Sequence, residues 1–194
     1  MNYFISDTHF YHSAIIKYCN RPFENEKLMR GVLIENWNKR VKDSDTVYFL
    51  GDLAMRGKAK QVEDILKTLK GRKILIRGNH DNWMFRDNNE FVLDQFDEVH
   101  QQSLIIEVDG KRVYLQHAIN KNNPLVVPKR CKFYLYGHSH GVYPAVADDT
   151  RFLNVCVETL DYTPRTFYEL ERYNEIYKEK MGMNGKLFKK QLDF

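Results

Sequence analysis

The sequence predicts an α/β domain, because short apolar segments typical of strands alternate with segments of helical periodicity. The 194 residues are 43% hydrophobic and 29% charged, which is the composition of an ordinary compact globular protein. A chain of this length buries about 70% of the surface that its unfolded form exposes, so its fold requires neither disulfides nor a structural metal. We expect a single domain over residues 1–181 and a polar C-terminal tail over residues 182–194.

Seven runs rich in β-branched and aromatic residues are predicted to be buried strands. They lie at residues 3–5, 47–50, 74–76, 104–108, 113–115, 133–136 and 152–157. Asp109 and Gly110 separate two of these runs, and this dipeptide is typical of a two-residue hairpin turn. The two strands on either side of it are therefore expected to be antiparallel.

Helical periods lie between several of these strands. Apolar residues recur at positions 29, 32, 33 and 37, and again at positions 62, 65, 66 and 69. The second set has the i, i+3, i+4, i+7 spacing of one helix face. Near the C-terminus, Thr166 and Glu169 have the spacing of a capping box that begins a last helix, although residues 165–170 also fit a strand.

The composition excludes several classes of protein. The apolar run at residues 1–5 is too short for a membrane span or a signal peptide, so we expect a cytoplasmic protein without a membrane partner. The three cysteines are widely spaced and form no C-x-x-C motif, which argues against a disulfide framework. The formal net charge of +4 is too small to indicate a nucleic-acid partner by itself. The oligomeric state is left open.

Side chains of metal-ligand type follow five of the predicted strands. They are Asp7 and His9, Asp52, Asn79, His117, and His138 with His140. The carboxyl ends of the strands form the crevice in which open α/β sheets bind ligands. We therefore expect these seven side chains to converge on one place.

Seven oxygen and imidazole ligands are more than one ion uses, and they fit two divalent ions about 3.5–4 Å apart. Imidazole-rich ligation argues against Mg²⁺ or Ca²⁺ as sole occupants and favours Mn²⁺, Fe, Zn²⁺ or Ni²⁺, with Mn²⁺ as our first choice. Four metal charges, less two carboxylates and one bridging hydroxide, leave a net charge of about +1. Such a centre attracts a phosphoryl group, which the bridging hydroxide attacks in line.

Five further residues are predicted to act around this centre. His80 lies beside the ligands and is expected to protonate the departing alkoxide, and Asp81 is expected to orient its ring. His12, Arg21 and Arg77 are candidates for binding the substrate, because imidazole and guanidinium groups donate hydrogen bonds to phosphate oxygens.

The order of these motifs resembles that of the calcineurin-like metallophosphoesterase family, in particular its small bacterial and phage members. The matching motifs are Asp7-x-His9, Gly51-Asp52, Gly78-Asn79-His80-Asp81, His117 and Gly137-His138-Ser139-His140. The resemblance implies a central β-sandwich flanked by helices and assigns the role of catalytic histidine to His80. It also implies two ligand sets, which are Asp7, His9, Asp52 and His140 for one ion and Asp52, Asn79, His117 and His138 for the other. The chain departs from the family pattern at Gln116, where many members have Gly or Ser, and at Cys156, where Gly is common.

The sequence thus predicts a binuclear metal-dependent phosphoesterase that hydrolyses phosphodiesters, or alternatively phosphomonoesters, of a small organic or nucleotide substrate. An inactive metal-bound scaffold for a protein partner and a nuclease are the alternatives. A scaffold is expected to have lost ligands, whereas all seven ligands and His80 are present. Residues 137–141 also match the G-x-S-x-G motif of serine hydrolases, but that chemistry needs a later histidine, and no histidine follows His140.

Overall fold

Two β-sheets and several helices make up the fold. The computed structural model describes residues 1–55, 58–86, 88–118, 128, 130–141 and 151–182. Within these residues the strands are β1 (Asn2–Ile5), β2 (Thr46–Phe49), β3 (Arg72–Ile76), β4 (Glu98–His100), β5 (Ser103–Val108), β6 (Lys111–Gln116), β7 (Phe133–Tyr136), β8 (Arg151–Asn154) and β9 (Arg165–Thr166). The helices are α1 (Ala14–Tyr18), α2 (Glu26–Arg40), α3 (Ala59–Thr68) and α4 (Phe167–Lys180), and two 3₁₀ segments cover Asn79–Phe85 and Glu90–Gln95.

Both sheets are mixed. Sheet one has the order β4-β3-β2-β1-β9, in which only β9 is antiparallel to its neighbour. Sheet two has the order β5-β6-β7-β8, in which β5 and β6 form the predicted hairpin and the other pairs are parallel. Asp109 and Gly110 in the hairpin turn both have positive φ, as a type I′ turn requires.

Sheet one is buried on both faces. Along β1, Tyr3 and Ile5 pack in one hydrophobic core with the helices α2 and α3, whereas Phe4 packs in a second core against sheet two. This alternation follows from the two-residue period of a strand. Sheet one thus packs against helices on one face and against sheet two on the other, which confirms the predicted β-sandwich flanked by helices.

The helices follow the patterns that the sequence contains. The Asn25 side chain accepts a hydrogen bond from the Leu28 backbone N–H at the start of α2. In α3, Val62, Ile65 and Leu66 are buried on one face. None of the helices in the described ranges has the length and apolar character needed to cross a membrane.

Both alternatives for residues 165–170 are partly correct. Arg165 and Thr166 form the short strand β9, and α4 begins at the next residue. The Glu169 carboxylate accepts hydrogen bonds from the backbone N–H and the hydroxyl of Thr166, as the capping box predicts. Helix α4 ends at Lys180, and the predicted tail from residue 183 onward lies outside the described residues.

The two sheets meet beyond the carboxyl ends of β1 and β8. Ser6 and Cys156 form an isolated parallel bridge, in which the Ser6 N–H donates to the Val155 carbonyl oxygen at 2.8 Å. The predicted strand at residues 152–157 therefore ends early as a regular strand, at Asn154, and continues as this bridge. The bridge brings the residues after β1 next to those of sheet two.

Candidate metal centre

The seven predicted metal ligands all lie just beyond the carboxyl ends of strands. Asp7 and His9 follow β1, Asp52 follows β2, and Asn79 follows β3 in sheet one. His117 follows β6, and His138 and His140 follow β7 in sheet two. Six of these seven side chains form two groups of three with ligand atoms within 4.8 Å of one another.

The first group consists of Asp7, His9 and His140. The Oδ1 atom of Asp7 lies 3.8 Å from Nε2 of His9 and 3.7 Å from Nε2 of His140. The backbone N–H of His138 donates to both carboxylate oxygens of Asp7, at 3.1 and 3.0 Å. A backbone group of sheet two therefore fixes the carboxylate that sheet one supplies.

The second group consists of Asp52, His117 and His138. The Oδ2 atom of Asp52 lies 3.3 Å from Nε2 of His117, and Oδ1 of Asn79 lies 2.9 Å from the same nitrogen. Oδ2 of Asp52 also lies 3.8 Å from Nε2 of His9 in the first group. Asp52 thus lies between the two groups, where the resemblance places a bridging ligand.

The donor set of the two groups fits divalent cations. Asp7 and Asp52 are 0% and 1% exposed, and among the residues that the structure describes neither forms an ion pair with a lysine or an arginine. Nε2 of His9 is buried and has no hydrogen-bond partner among those residues, although it faces both carboxylates. Buried carboxylates are costly unless they are paired or coordinate metals, and a buried ring nitrogen without a hydrogen-bond partner is costly as well. Divalent ions would satisfy all three groups.

The pKa values of two histidines in the site are shifted in opposite directions. Burial alone would lower the pKa of His117, but the hydrogen bond to Asp52 and the charges of Asp7 and Asp52 raise it to about 9. For His9, burial is the largest effect, and it lowers the pKa well below its usual value. His9 is therefore a neutral imidazole at physiological pH, which is the form that ligates metals.

Five of the seven ligands have left-handed backbone conformations. Their φ angles are 59° for Asp7, 49° for His9, 57° for Asp52, 65° for His138 and 45° for His140. Such values are uncommon outside glycine and cost free energy, and they cluster at functional sites where the surroundings enforce them. The sharp turns that they make direct side chains from different strands toward one place.

Two glycines allow the carboxylates to approach closely. A Cβ atom on Gly78 would lie 2.3 Å from Oδ1 of Asp52, and one on Gly137 would lie 2.5 Å from Oδ2 of Asp7. Any side chain at either position would collide with a predicted metal ligand. This collision is a steric reason for glycine at the first position of the motifs Gly78-Asn79 and Gly137-His138.

His80 and Asp81 face different environments. His80 is exposed, and its ring centroid lies 5.6 Å from that of His9. Asp81 is fully buried, and its carboxylate accepts hydrogen bonds from the backbone N–H groups of Asp52, Leu53 and Gly78 at 2.7–2.9 Å. The observed role of Asp81 thus differs from the expected one, which was to orient the ring of His80. Asp81 holds the ends of β2 and β3 together around Asp52.

The three predicted substrate residues occupy different positions. His12 is partly buried, and its Nδ1 lies 3.4 Å from Nδ1 of His9. Arg77 is partly exposed beside Asn82 and Gln101. Arg21 is buried, and its side chain donates to the backbone carbonyls of Asp7 and Thr8, so the prediction that it binds substrate is wrong.

Glu158 is a site residue that the sequence did not reveal. Its Oε1 atom accepts from Nε and Nη2 of Arg21, at 2.8 and 2.7 Å, and lies 3.0 Å from Nδ1 of His140. Burial alone would raise the pKa of Glu158, but Arg21 and His140 lower it to about 2. Glu158 follows the bridge after β8, so a search for acidic residues beyond strand ends would have found it.

Comparisons with known proteins found three similarities. The calcineurin-like phosphoesterase superfamily domain matches residues 2–166. An uncharacterized protein of Methanocaldococcus jannaschii, MJ1445, is 39% identical over 167 residues, which are 84% of each chain. The crystal structure of AQ665 from Aquifex aeolicus, a protein of unknown function, aligns with a TM-score of 0.66 and 32% identity over 89% of this chain and 98% of that one.

Proposed function

Since the chain belongs to the calcineurin-like phosphoesterase superfamily, we propose that it is a binuclear metal-dependent phosphodiesterase. The observation that carries this proposal is the position of Asp52 between two ligand groups. Its Oδ2 atom is 3.8 Å from Nε2 of His9 and 3.3 Å from Nε2 of His117. One carboxylate within reach of both groups is what a pair of adjacent ions requires.

In the proposed centre, Asp7, His9, Asp52 and His140 hold one ion, and Asp52, Asn79, His117 and His138 hold the other. Mn²⁺ is our first choice for both, because the ligands combine imidazole with carboxylate and amide oxygens. When bound, such ions polarise phosphoryl oxygens and lower the pKa of water so that it attacks phosphorus at neutral pH. Two divalent ions would also outweigh the two negative charges of Asp7 and Asp52, so the filled site would attract a phosphate anion.

The chain itself supplies the proton for the leaving group. His80 is exposed beside the first ligand group, so its imidazole reaches a substrate bound there. Its backbone N–H donates to Oδ1 of Asp52 at 2.9 Å, which fixes the residue relative to the ligands. We assign His80 the role of general acid for the departing alkoxide.

The proposal is tested with metal-free protein refilled with Mn²⁺ and assayed on bis-p-nitrophenyl phosphate and p-nitrophenyl phosphate. We expect the diester to be hydrolysed faster than the monoester. With an alkyl phosphodiester, whose alkoxide leaving group needs a proton, His80→Ala should lower kcat about 10²–10⁴-fold, and with the p-nitrophenyl esters by much less, while the bound manganese, measured by elemental analysis, stays the same. His100→Ala removes a histidine on the outer strand β4 and serves as the matched control.

Two outcomes would contradict the proposal. One is a refilled wild-type protein that hydrolyses neither substrate. The other is an Asp52→Asn variant that binds as much manganese as the wild type, because the proposed bridging ligand would then contribute nothing to either ion.

A further inference from the structure

A cleft of about 340 Å³, lined mainly by residues with polar side chains, opens beside the second ligand group. Its lining includes the predicted ligands Asn79 and His117 together with Arg77, Asn82, Gln101 and Gln116. This volume is at the lower end of the range of about 300–1,000 Å³ for small-molecule sites. The cleft lies where β3 of sheet one and β6 of sheet two end, so a group bound in it would be adjacent to the metal centre.

Arg77 fixes the orientation of two of the amide side chains. Its Nη1 donates to Oε1 of Gln101 at 2.6 Å, and its Nη2 donates to Oδ1 of Asn82. Because a guanidinium group has donors and no acceptor, the amide oxygens must face it. The NH₂ groups of Gln101 and Asn82 are therefore directed away from Arg77.

Gln116 has the same arrangement with a different partner. The hydroxyl of Tyr134 donates to Oε1 of Gln116 at 2.5 Å, so the NH₂ group of Gln116 is directed away from Tyr134. Three amides around the cleft thus have their oxygen atoms occupied by protein donors. What they offer to a ligand is a set of hydrogen-bond donors.

The charge of the cleft is positive. The amide partners of Arg77 are neutral, so they do not cancel the charge of the guanidinium group. Arg77 also lies over the ring of Phe85, with its central carbon 4.6 Å from the ring centroid, and thus covers one face of that ring. The described residues that line the cleft supply hydrogen-bond donors and positive charge and include no phenylalanine, tyrosine or tryptophan, which favours an oxyanion over a base.

We propose that this cleft binds a second phosphoryl group of the substrate. The inference rests on the proposed phosphodiesterase function, and it narrows the substrate to compounds in which another phosphate lies near the scissile one. The next phosphate of a single-stranded nucleic acid and the second phosphate of a small bisphosphorylated compound have this chemistry in common. Asn82, Gln101 and Gln116 would donate to its oxygens, and Arg77 would hold two of these amides in place.

The test compares two substrates that differ by one phosphate. They are thymidine 5′-(p-nitrophenyl phosphate) and the same compound phosphorylated at the 3′ hydroxyl, each assayed with the Mn²⁺-filled protein. We expect the second phosphate to raise kcat/KM about tenfold, which is the effect of one net charge-assisted hydrogen bond. Gln101→Met, which keeps the size of the side chain and removes one of the three donors, should lower this ratio.

Two further variants complete the design. Arg77→Met should reduce the same ratio, because Gln101 and Asn82 lose the partner that orients them. Gln61→Met makes the same exchange as Gln101→Met at an exposed position of α3, so the ratio should stay at the wild-type value.

Inhibition assays distinguish the two sources of the phosphate. A short oligothymidylate and thymidine 3′,5′-bisphosphate are compared as inhibitors of the wild type and of Gln101→Met. Stronger inhibition by the oligonucleotide would identify a nucleic-acid strand, and stronger inhibition by the bisphosphate a small compound. In both cases the inhibition should weaken in Gln101→Met.

The outcomes separate this inference from the proposed function. If the wild type hydrolyses both substrates with equal kcat/KM, or if Gln101→Met leaves the ratio unchanged, the cleft does not bind the second phosphate and the phosphodiesterase assignment stands. If the wild type hydrolyses neither substrate, the proposed function fails, and the inference that depends on it fails as well.

Discussion

Replacing Glu158 by glutamine should weaken metal binding at one of the two ligand groups and leave the other unchanged. The Nδ1 atom of His140 lies 3.0 Å from the Glu158 carboxylate, and its Nε2 faces Asp7. A carboxylate that accepts the second N–H of a ligating histidine fixes the orientation of the ring and raises its basicity. The Glu158→Gln exchange keeps the size of the side chain and removes its charge.

The size of the effect follows from what Glu158 contacts. Loss of such a carboxylate partner lowers metal affinity about 10- to 100-fold, or about 1.4–2.7 kcal/mol. His140 belongs to the group with Asp7 and His9, so only that site should weaken. Glu158→Ala is a poorer choice, because it would remove both the charge and the acceptor oxygen opposite the buried Arg21 guanidinium, at a cost of about 3–5 kcal/mol, whereas glutamine keeps an acceptor oxygen.

The assay is a calorimetric titration of Mn²⁺ into metal-free protein, with thermal unfolding of the same samples as the measure of stability. Arg21→Lys is the matched control, because it keeps a cation opposite Glu158 and leaves the contact with His140 in place. We expect this control to lower the unfolding midpoint and to leave both dissociation constants within about twofold. If Glu158→Gln changes stability but neither dissociation constant, Glu158 has only a structural role and the reasoning is refuted.

Two further predictions concern the fold around the site. Gly137→Ala should lower stability by about 1–3 kcal/mol and reduce bound manganese in elemental analysis, because its Cβ would collide with Asp7. Gly31→Ala, in open space on α2, should do neither. At the start of α4, burial alone would raise the pKa of Glu169, but hydrogen bonds from Thr166 and Arg40 lower it below 4.5. The capping stabilisation of about 1 kcal/mol should therefore be present above pH 4.5 and disappear as the pH falls. The measurement is the difference in free energy of unfolding between the wild type and Glu169→Gln, from chemical unfolding at several pH values. A difference that stays the same at low pH would contradict the prediction.

The convergence of the ligands was predictable because it depends on local patterns. Each ligand follows a run of apolar residues that only a buried strand accommodates, and parallel strands bring their carboxyl ends to one edge. The short elements were not predictable in the same way. Strand β4 has three residues, which is too few for a periodic pattern.

Errors arose where a role depends on contacts between distant parts of the chain. Arg21 and Glu158 are 137 positions apart, and no local pattern indicates that they form a buried ion pair. For Asp81, adjacency to His80 was misleading for a geometric reason. Both lie in a 3₁₀ segment with about three residues per turn, so neighbouring side chains point in directions about 120° apart. One enters the core and the other faces solvent.

The architecture also explains why each proposed ion would connect the two sheets. The first group takes Asp7 and His9 from sheet one and His140 from sheet two, and the second takes Asp52 from sheet one and His117 and His138 from sheet two. The direct backbone link between the sheets at this end is the bridge at Ser6, one residue before Asp7. The strained left-handed conformations of the ligands can persist there because strand pairing, the Asp81 carboxylate and the backbone N–H of His138 hold them from several sides. The contacts that close the sandwich are therefore the same contacts that place the ligands, which is why a pattern of strand ends suffices to locate the site.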